Sequence, residues 1–182
     1  STNEELQSTN EELETSKEEL QSVNEELITV NSELQAKIEQ LAGMQNDMKN
    51  LLDNTHIGTV FLDEKLIIRR FTRDATTIYR LVPTDVGRPL SDIKSNIAGE
   101  ALLTQAHTVL ETLIPFEQEV RTDNGIWYLV RIQPYRTLDN VIDGVVLTFT
   151  DISKRIKAET DMQLTRDLAE SVVDTIDKPL LV

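Results

Sequence analysis

Leucine recurs every seven residues at the front of the chain, at Leu6, Leu13, Leu20, Leu27, Leu34 and Leu41, and Met48 extends the series. Between these stand Thr9, Ser16, Val23, Val30, Lys37, Met44 and Leu51. The steps alternate between three and four, as in Leu20 to Val23 to Leu27. Leucine therefore takes heptad position a and the second series position d. The spacing predicts a helix over residues 1–50 whose seam winds into a left-handed coiled coil, about 75 Å long at ~1.5 Å per residue. Thr9, Ser16 and Lys37 put polar groups at d, so the front end should fray. Association should then rest on Leu20, Val23, Leu27, Val30, Leu34, Leu41, Met44 and Met48. Leucine at a with valine at d is not the two-stranded preference. A homodimer and a higher oligomer, parallel or antiparallel, all fit the seam. Glu5, Glu12, Glu19, Glu26 and Glu33 occupy g, and Asn10, Asn24 and Asn31 occupy e. On this pattern no g-to-e′ ion pair sets the partner, and neutral amides relieve the repulsion. The plainer alternative is a solvated acidic helix.

The period changes after Asn54. Thr59–Leu62 and Leu66–Phe71 are short apolar runs separated by Asp63-Glu64-Lys65, a hairpin signal. Asp74–Leu81 reads as a short helix capped by Thr72 or Asp74. Pro83, Gly87 and Pro89 punctuate a turn-rich connector, and Ile97–Leu113 has helical spacing through Leu102, Ala106, Val109 and Leu110. Three strands follow over Phe116–Thr122, Ile126–Tyr135 and Asp143–Asp151. Asn124-Gly125 marks the first turn between them, since this pair supplies positive φ readily. Two strands, a helical middle and three antiparallel strands make an α+β domain over 51–152. A charged helix over 153–176 leaves it. That helix carries a weak second seam (Ala158, Met162, Thr165, Ala169, Val172, Ile176), with Leu164 and Leu168 off the seam and free to touch the domain.

Charge separates the two parts. Up to Thr55 there are thirteen Asp/Glu against three Lys/Arg; from His56 on there are nineteen against fifteen. So acidic a front repels phosphate backbones and anionic lipid heads, which excludes nucleic acid and the membrane surface as partners. All eight Phe, Trp and Tyr lie after residue 60, so the front cannot bury a core of its own. The absence of cysteine removes disulfides, thiolate metal ligands and cysteinyl-flavin chemistry, and makes the cytoplasm the expected location.

Several strings resemble a known family. Leu51-Leu52-Asp53-Asn54-Thr55-His56-Ile57-Gly58 resembles the lead-in helix and first strand of a PAS domain, and Asp151-Ile152-Ser153 resembles its D-I-T exit motif. Three further strings extend the likeness: 131–137 (Arg131 to Thr137), 142–149 (Ile142 to Phe149), and Arg69-Arg70-Phe71-Thr72 with Gly87-Arg88-Pro89-Leu90-Ser91-Asp92. Together with the N-E-E-L repeat, they resemble the linker and PAS region of fused chemotaxis methylesterase–methyltransferase sensors, many of which end in a histidine kinase. The resemblance implies a PAS fold, a five-stranded antiparallel sheet with flanking helices, in a relay and dimerisation module lacking the catalytic domains of its parent. Adjacent domains of that parent would be its partners. An echo of Leu51-Leu52-Asp53 at Val172-Val173-Asp174 implies that residues 177–182 open a second such domain.

No residue constellation supports catalysis, a metal site or a named cofactor, although a small-molecule ligand of unknown kind fits the fold. His107 falls on the middle helix, where some related sensors hold haem; a lone histidine is more often a surface or core residue. Arg131 is either a buried anchor for an anionic ligand or the surface partner of Glu117 or Glu119, and the pairing habits of sheets favour the second. Glu117 and Glu119 share one strand face and read better as solvated than as a glycosidase pair. Asp151, Ser153 and Arg155 form the expected signalling junction: Asp151 or Ser153 caps the exit helix, and Asp151 is placed to pair with Arg155 one turn on. Two functions stand: a relay through this junction, or a ligand-free scaffold in which the coil spaces catalytic ends.

Overall fold

The computed structural model describes residues 1–97 and 99–177. The leading helix, α1, spans Thr2–Thr55. By contact the chain divides into Ser1–Leu51 and the remainder from Leu52 on.

The first unit is helix alone. None of its residues is buried, and the seam lies open: Leu20 is 70% exposed, Leu27 58% and Met44 61%. Threonine hydroxyls at 9, 15 and 29 donate back to the carbonyls of Glu5, Glu11 and Glu25, leaving the hydrogen-bond ladder intact. In water most helical stability comes from packing an apolar face rather than from propensity, and here that face is bare.

The second unit is the expected α+β domain. Its strands are β1 (Gly58–Leu62), β2 (Ile68–Phe71), β3 (Phe116–Arg121), β4 (Trp127–Arg136) and β5 (Ile142–Asp151), with α2 (Gly99–Thr112) between β2 and β3 and α3 (Ser153–Ile176) after β5. They form one antiparallel sheet in the order β2-β1-β5-β4-β3. The central pair, β1 and β5, brings the strand that opens the domain against the one that closes it, with Gly58 opposite Phe149. Alternation decides the faces. Val60, Leu62, Ile68, Val130, Ile132, Val145, Leu147 and Phe149 point inward and are all buried. Leu102, Ala106 and Val109 of α2 complete the core with Ile78, Tyr79 and Leu90.

Local chemistry sets the turns. Asp63 Oδ1 accepts the N–H groups of Lys65 and Ile67, turning the chain between β1 and β2, with Leu66 buried at φ +60°. The Thr122–Gly125 turn closes by a Gly125 N–H to Thr122 O bond, and Gly125 sits at φ +85°, as the Asn-Gly pair implied. Gly144 is the most constrained glycine: at φ +138°, an added Cβ would fall 1.9 Å from the Leu62 carbonyl oxygen.

Two expectations need correction. The helix expected over Asp74–Leu81 is a single 3-10 turn, Arg73–Thr77. Thr76 and Thr77 donate their hydroxyls to the carbonyls of Arg73 and Asp74. The chain beyond is drawn into backbone pairing, with Arg80 N–H on Lys94 O and Asn96 N–H on Ile78 O. Thr72 occupies the capping position but makes no side-chain cap. Its hydroxyl accepts the Thr59 N–H and donates to Ile57 O, holding the start of β1. Leu164 and Leu168 are not packed on the domain but stay exposed. The expected second-domain strand over 177–182 lies, beyond Asp177, outside the described residues.

Candidate functional site

Three strands converge on the first turn of α3. β5 runs into it directly, and Asp151 Oδ1 accepts the Ser153 N–H at 2.8 Å. β4 holds it twice through one residue: Ile152 donates its N–H to Trp127 O at 2.9 Å, and Ser153 Oγ accepts the Trp127 N–H at 3.1 Å. β3 holds it through the ion pair of Arg155 with Glu119. Ile152 is buried and Ile156 half-buried; beyond them the described helix is exposed. The domain thus fixes one turn of α3 and leaves the following five unsupported.

Asp151 and Ser153 meet at the joint, but not as helix caps in the usual position. The residue there is Ile152, which makes no side-chain cap. Asp151 stands one residue earlier and satisfies the first helical N–H. The Asp151–Arg155 pair is not formed: Arg155 reaches Glu119 and, more loosely at 3.8 Å, Glu159. The reason is geometric. Asp151 is still strand, and its carboxylate turns to the adjacent N–H, while Arg155 projects back across the sheet. Sequence spacing missed Glu119 and the Trp127 backbone because both depend on strand register.

The open face of the sheet carries the remaining candidates. In register, Glu117 faces Arg131, which faces Thr148. Arg131 is half-exposed and paired with Glu117, so it is the surface partner and not a buried anion anchor. Each of the two carboxylates of β3 is therefore taken by an arginine. His107 is exposed on α2, turned away from Ala106 and Val109, which face the core. An outward imidazole has no apolar pocket in which to hold haem. No group of His, Asp and Glu able to hold a metal occurs among the described residues.

Among the described residues, one buried side-chain polar atom is left without a partner. Tyr79 is 1% exposed, meets Phe149 edge-on with ring centroids 5.9 Å apart, and its hydroxyl has no hydrogen-bond partner among the described residues. Burial pushes its phenol up to about 12. It lines a cavity of about 210 Å³ with Ser95, Glu100 and Leu103. That is smaller than the usual drug-sized pocket, about 300 Å³ and upward. At the opposite edge Arg69 grips Asp143 with two hydrogen bonds of 2.6 and 3.0 Å and holds its carboxyl below the usual range. No described helix is long and apolar enough to cross a membrane.

Comparison with known proteins agrees with this fold. An uncharacterised 104.1 kDa protein in the hypE 3′ region of Rhodobacter capsulatus is 40% identical over 138 residues, 76% of this chain. The chain spans 14% of that relative's length. Among solved structures, the PAS domain of the histidine kinase ThkA is 21% identical with a TM-score of 0.46, covering 52% of this chain and 98% of that one. A sensory box sensor histidine kinase from Vibrio cholerae is 13% identical with a TM-score of 0.44, covering 63% and 97%. Likeness at that level carries no argument about function. The family described as PAS domain matches residues 48–153, from the last turns of α1 to the first residue of α3, and to that family the chain belongs.

Proposed function

We propose that this chain is the relay and dimerisation module of a bacterial signalling protein, with the PAS domain as its sensory part and no catalysis of its own. The observation that carries the reading is the grip on α3: three strands hold its first turn, and the described remainder is free of the domain. A change in strand twist or spacing moves that turn, and a stiff helix converts the movement into displacement along its length. The N-E-E-L repeat and the strings around Arg131 and Gly87 support a parent of the methylesterase–methyltransferase fusion type, with adjacent catalytic domains as the recipients.

The test loosens the joint without touching the core. In Asp151→Ala and Glu119→Ala, amide exchange should quicken across 154–173 while β1 and β5 keep their protection. In the parent protein, output should lose its dependence on input. Unchanged exchange in α3 together with unchanged signalling would reduce Asp151 to an ordinary turn residue and remove the relay.

A further inference from the structure

From the open seam of α1 and the residues that flank it we infer a specific partner geometry: a second copy of this chain, parallel and in register, as a two-stranded coil. The inference rests on the dimerisation reading above and adds orientation, register and strand number.

The flanks of the seam differ sharply. Position g is acidic at Glu5, Glu12, Glu19, Glu26 and Glu33. Position e holds Asn10, Asn24 and Asn31, and also Lys17, which the amide pattern alone conceals. All of these side chains are exposed on a helix with no buried residue. In a parallel pair each g residue faces the e′ residue five positions on. Glu5 then meets Asn10 of the second copy, Glu12 meets Lys17, Glu19 meets Asn24 and Glu26 meets Asn31. Of these five glutamates all but Glu33, which meets Ile38, gain an amide donor or an ammonium; Asp47, the last residue at g, falls opposite Leu52 beyond the polar stretch. Turning one helix round places g against g′, so that the glutamates face one another along the seam. Like charges at facing positions are destabilising, and no basic residue stands at g to relieve them.

Register and strand number follow from the polar seam positions. In register, Thr9, Ser16 and Lys37 each meet their own copy. A slip of seven residues sets Ser16 against Val23 or Thr9, and Lys37 against Val30 or Met44, breaking apolar layers instead of pairing polar ones. Lys37 also limits the number of strands. Its ammonium already lies 3.5 Å from Gln40 Oε1 on the flank of its own helix. In a two-stranded coil it reaches water along that path, as long basic side chains do. In a four-stranded bundle the flanks themselves are covered, and the glutamates at g would be buried beside it.

The chain has no cysteine, so single cysteines report the geometry directly. Ser16→Cys lies at d near the front. In the parallel in-register pair the two thiols face each other. In an antiparallel pair centred on residues 28–29 they stand 25 residues apart, about 38 Å at ~1.5 Å per residue, against the ~6 Å between Cα atoms that a disulfide spans. The expected result is rapid disulfide-linked dimer from Ser16→Cys alone, with light scattering giving twice the chain mass. Disulfide only on mixing Ser16→Cys with Leu41→Cys, the antiparallel counterparts, overturns the orientation but leaves the dimer. Four times the chain mass overturns the strand number, and a monomer overturns the dimerisation reading itself. A second pair of variants reads charge without thiols. Asn24→Lys with Asn31→Lys should raise the coil's melting temperature by pairing with Glu19 and Glu26 of the second copy; Asn24→Glu with Asn31→Glu should lower it, and salt should narrow the gap. A fall with both pairs means e faces e′, which refutes the parallel arrangement.

Discussion

Replacing Tyr79 by phenylalanine should make the domain more stable. The ring stays, with its edge-on contact to Phe149, and only the hydroxyl leaves. That hydroxyl is buried without a partner among the described residues. A buried polar group without a hydrogen bond costs about 1–3 kcal/mol, and a domain of this size shifts its Tm by about 2–8 °C per kcal/mol. Tyr79→Phe should therefore melt several degrees higher near pH 7. Alkaline pH supplies a second reading from the same atom. The phenol ionises at about 12 in the fold against 10.0 ordinarily. Between those values the unfolded chain has released the proton and the folded chain still holds it. The unfolded state binds fewer protons, so stability falls as pH rises from 10 toward 12. Two pH units correspond to roughly 2–3 kcal/mol. Thermal melts at pH 7 measure the first effect, and urea titrations of the unsubstituted chain and the variant at pH 8, 10 and 11.5 measure the second. The variant should be the more stable at every pH, with a gap that widens above pH 10. A variant that melts lower at pH 7 would mean that the hydroxyl has a partner in solution, a bound water or small molecule in the cavity beside Ser95 and Glu100, and the reasoning from an orphaned group would fail.

Other substitutions test the frame around the site. Gly144→Ala should destabilise the domain by at least about 1–3 kcal/mol, the usual strain of a disallowed backbone position, since its Cβ would press on Leu62 O; a circular dichroism melt matching the parent would contradict the β1–β5 register. Thr72→Val keeps shape but strands the Thr59 N–H, now bonded at 2.8 Å, and should remove about 1–3 kcal/mol. A neutral result in urea titration would show that solvent reaches this N–H. Arg155→Ala should lower stability by less than about 1 kcal/mol, as exposed ion pairs do, yet speed exchange in the first turn of α3; a large loss of stability instead would make the pair structural.

How much of this was legible in the residues depends on range. The heptad at Leu6–Met48 and the alternation in β4 are local periods: the strand they predict appears with each end displaced by one residue, while the helix expected over residues 1–50 runs on to Thr55, past the last heptad position. The Asn124-Gly125 turn is equally local. The Asp74–Leu81 segment misled because Thr72 and Asp74 look like helix caps ahead of a short mixed run, while the competing backbone bonds come from Lys94 and Asn96, distant in sequence and invisible to a periodic reading. The joint divides the same way. Asp151 and Ser153 stand out by position, but the partner of Arg155 lies 36 residues away on β3 and needed the sheet order to find. Tyr79 gave no signal at all, since nothing in a sequence marks a phenol as unpaired.

The adjacency of Gly58 and Phe149 on the central strands has a consequence for inheritance. The chain leaves the domain beside the point at which it came in. Seen from the flanking segments, everything from 58 to 151 is a loop with neighbouring ends, the arrangement that tolerates insertion into a host chain. Such a unit lengthens a gene by its own span without displacing what lies before and after it. It lends itself to duplication in tandem, to exchange for a relative and to clean excision, so a lineage is free to add or drop a sensing step while the rest of the message stays in frame.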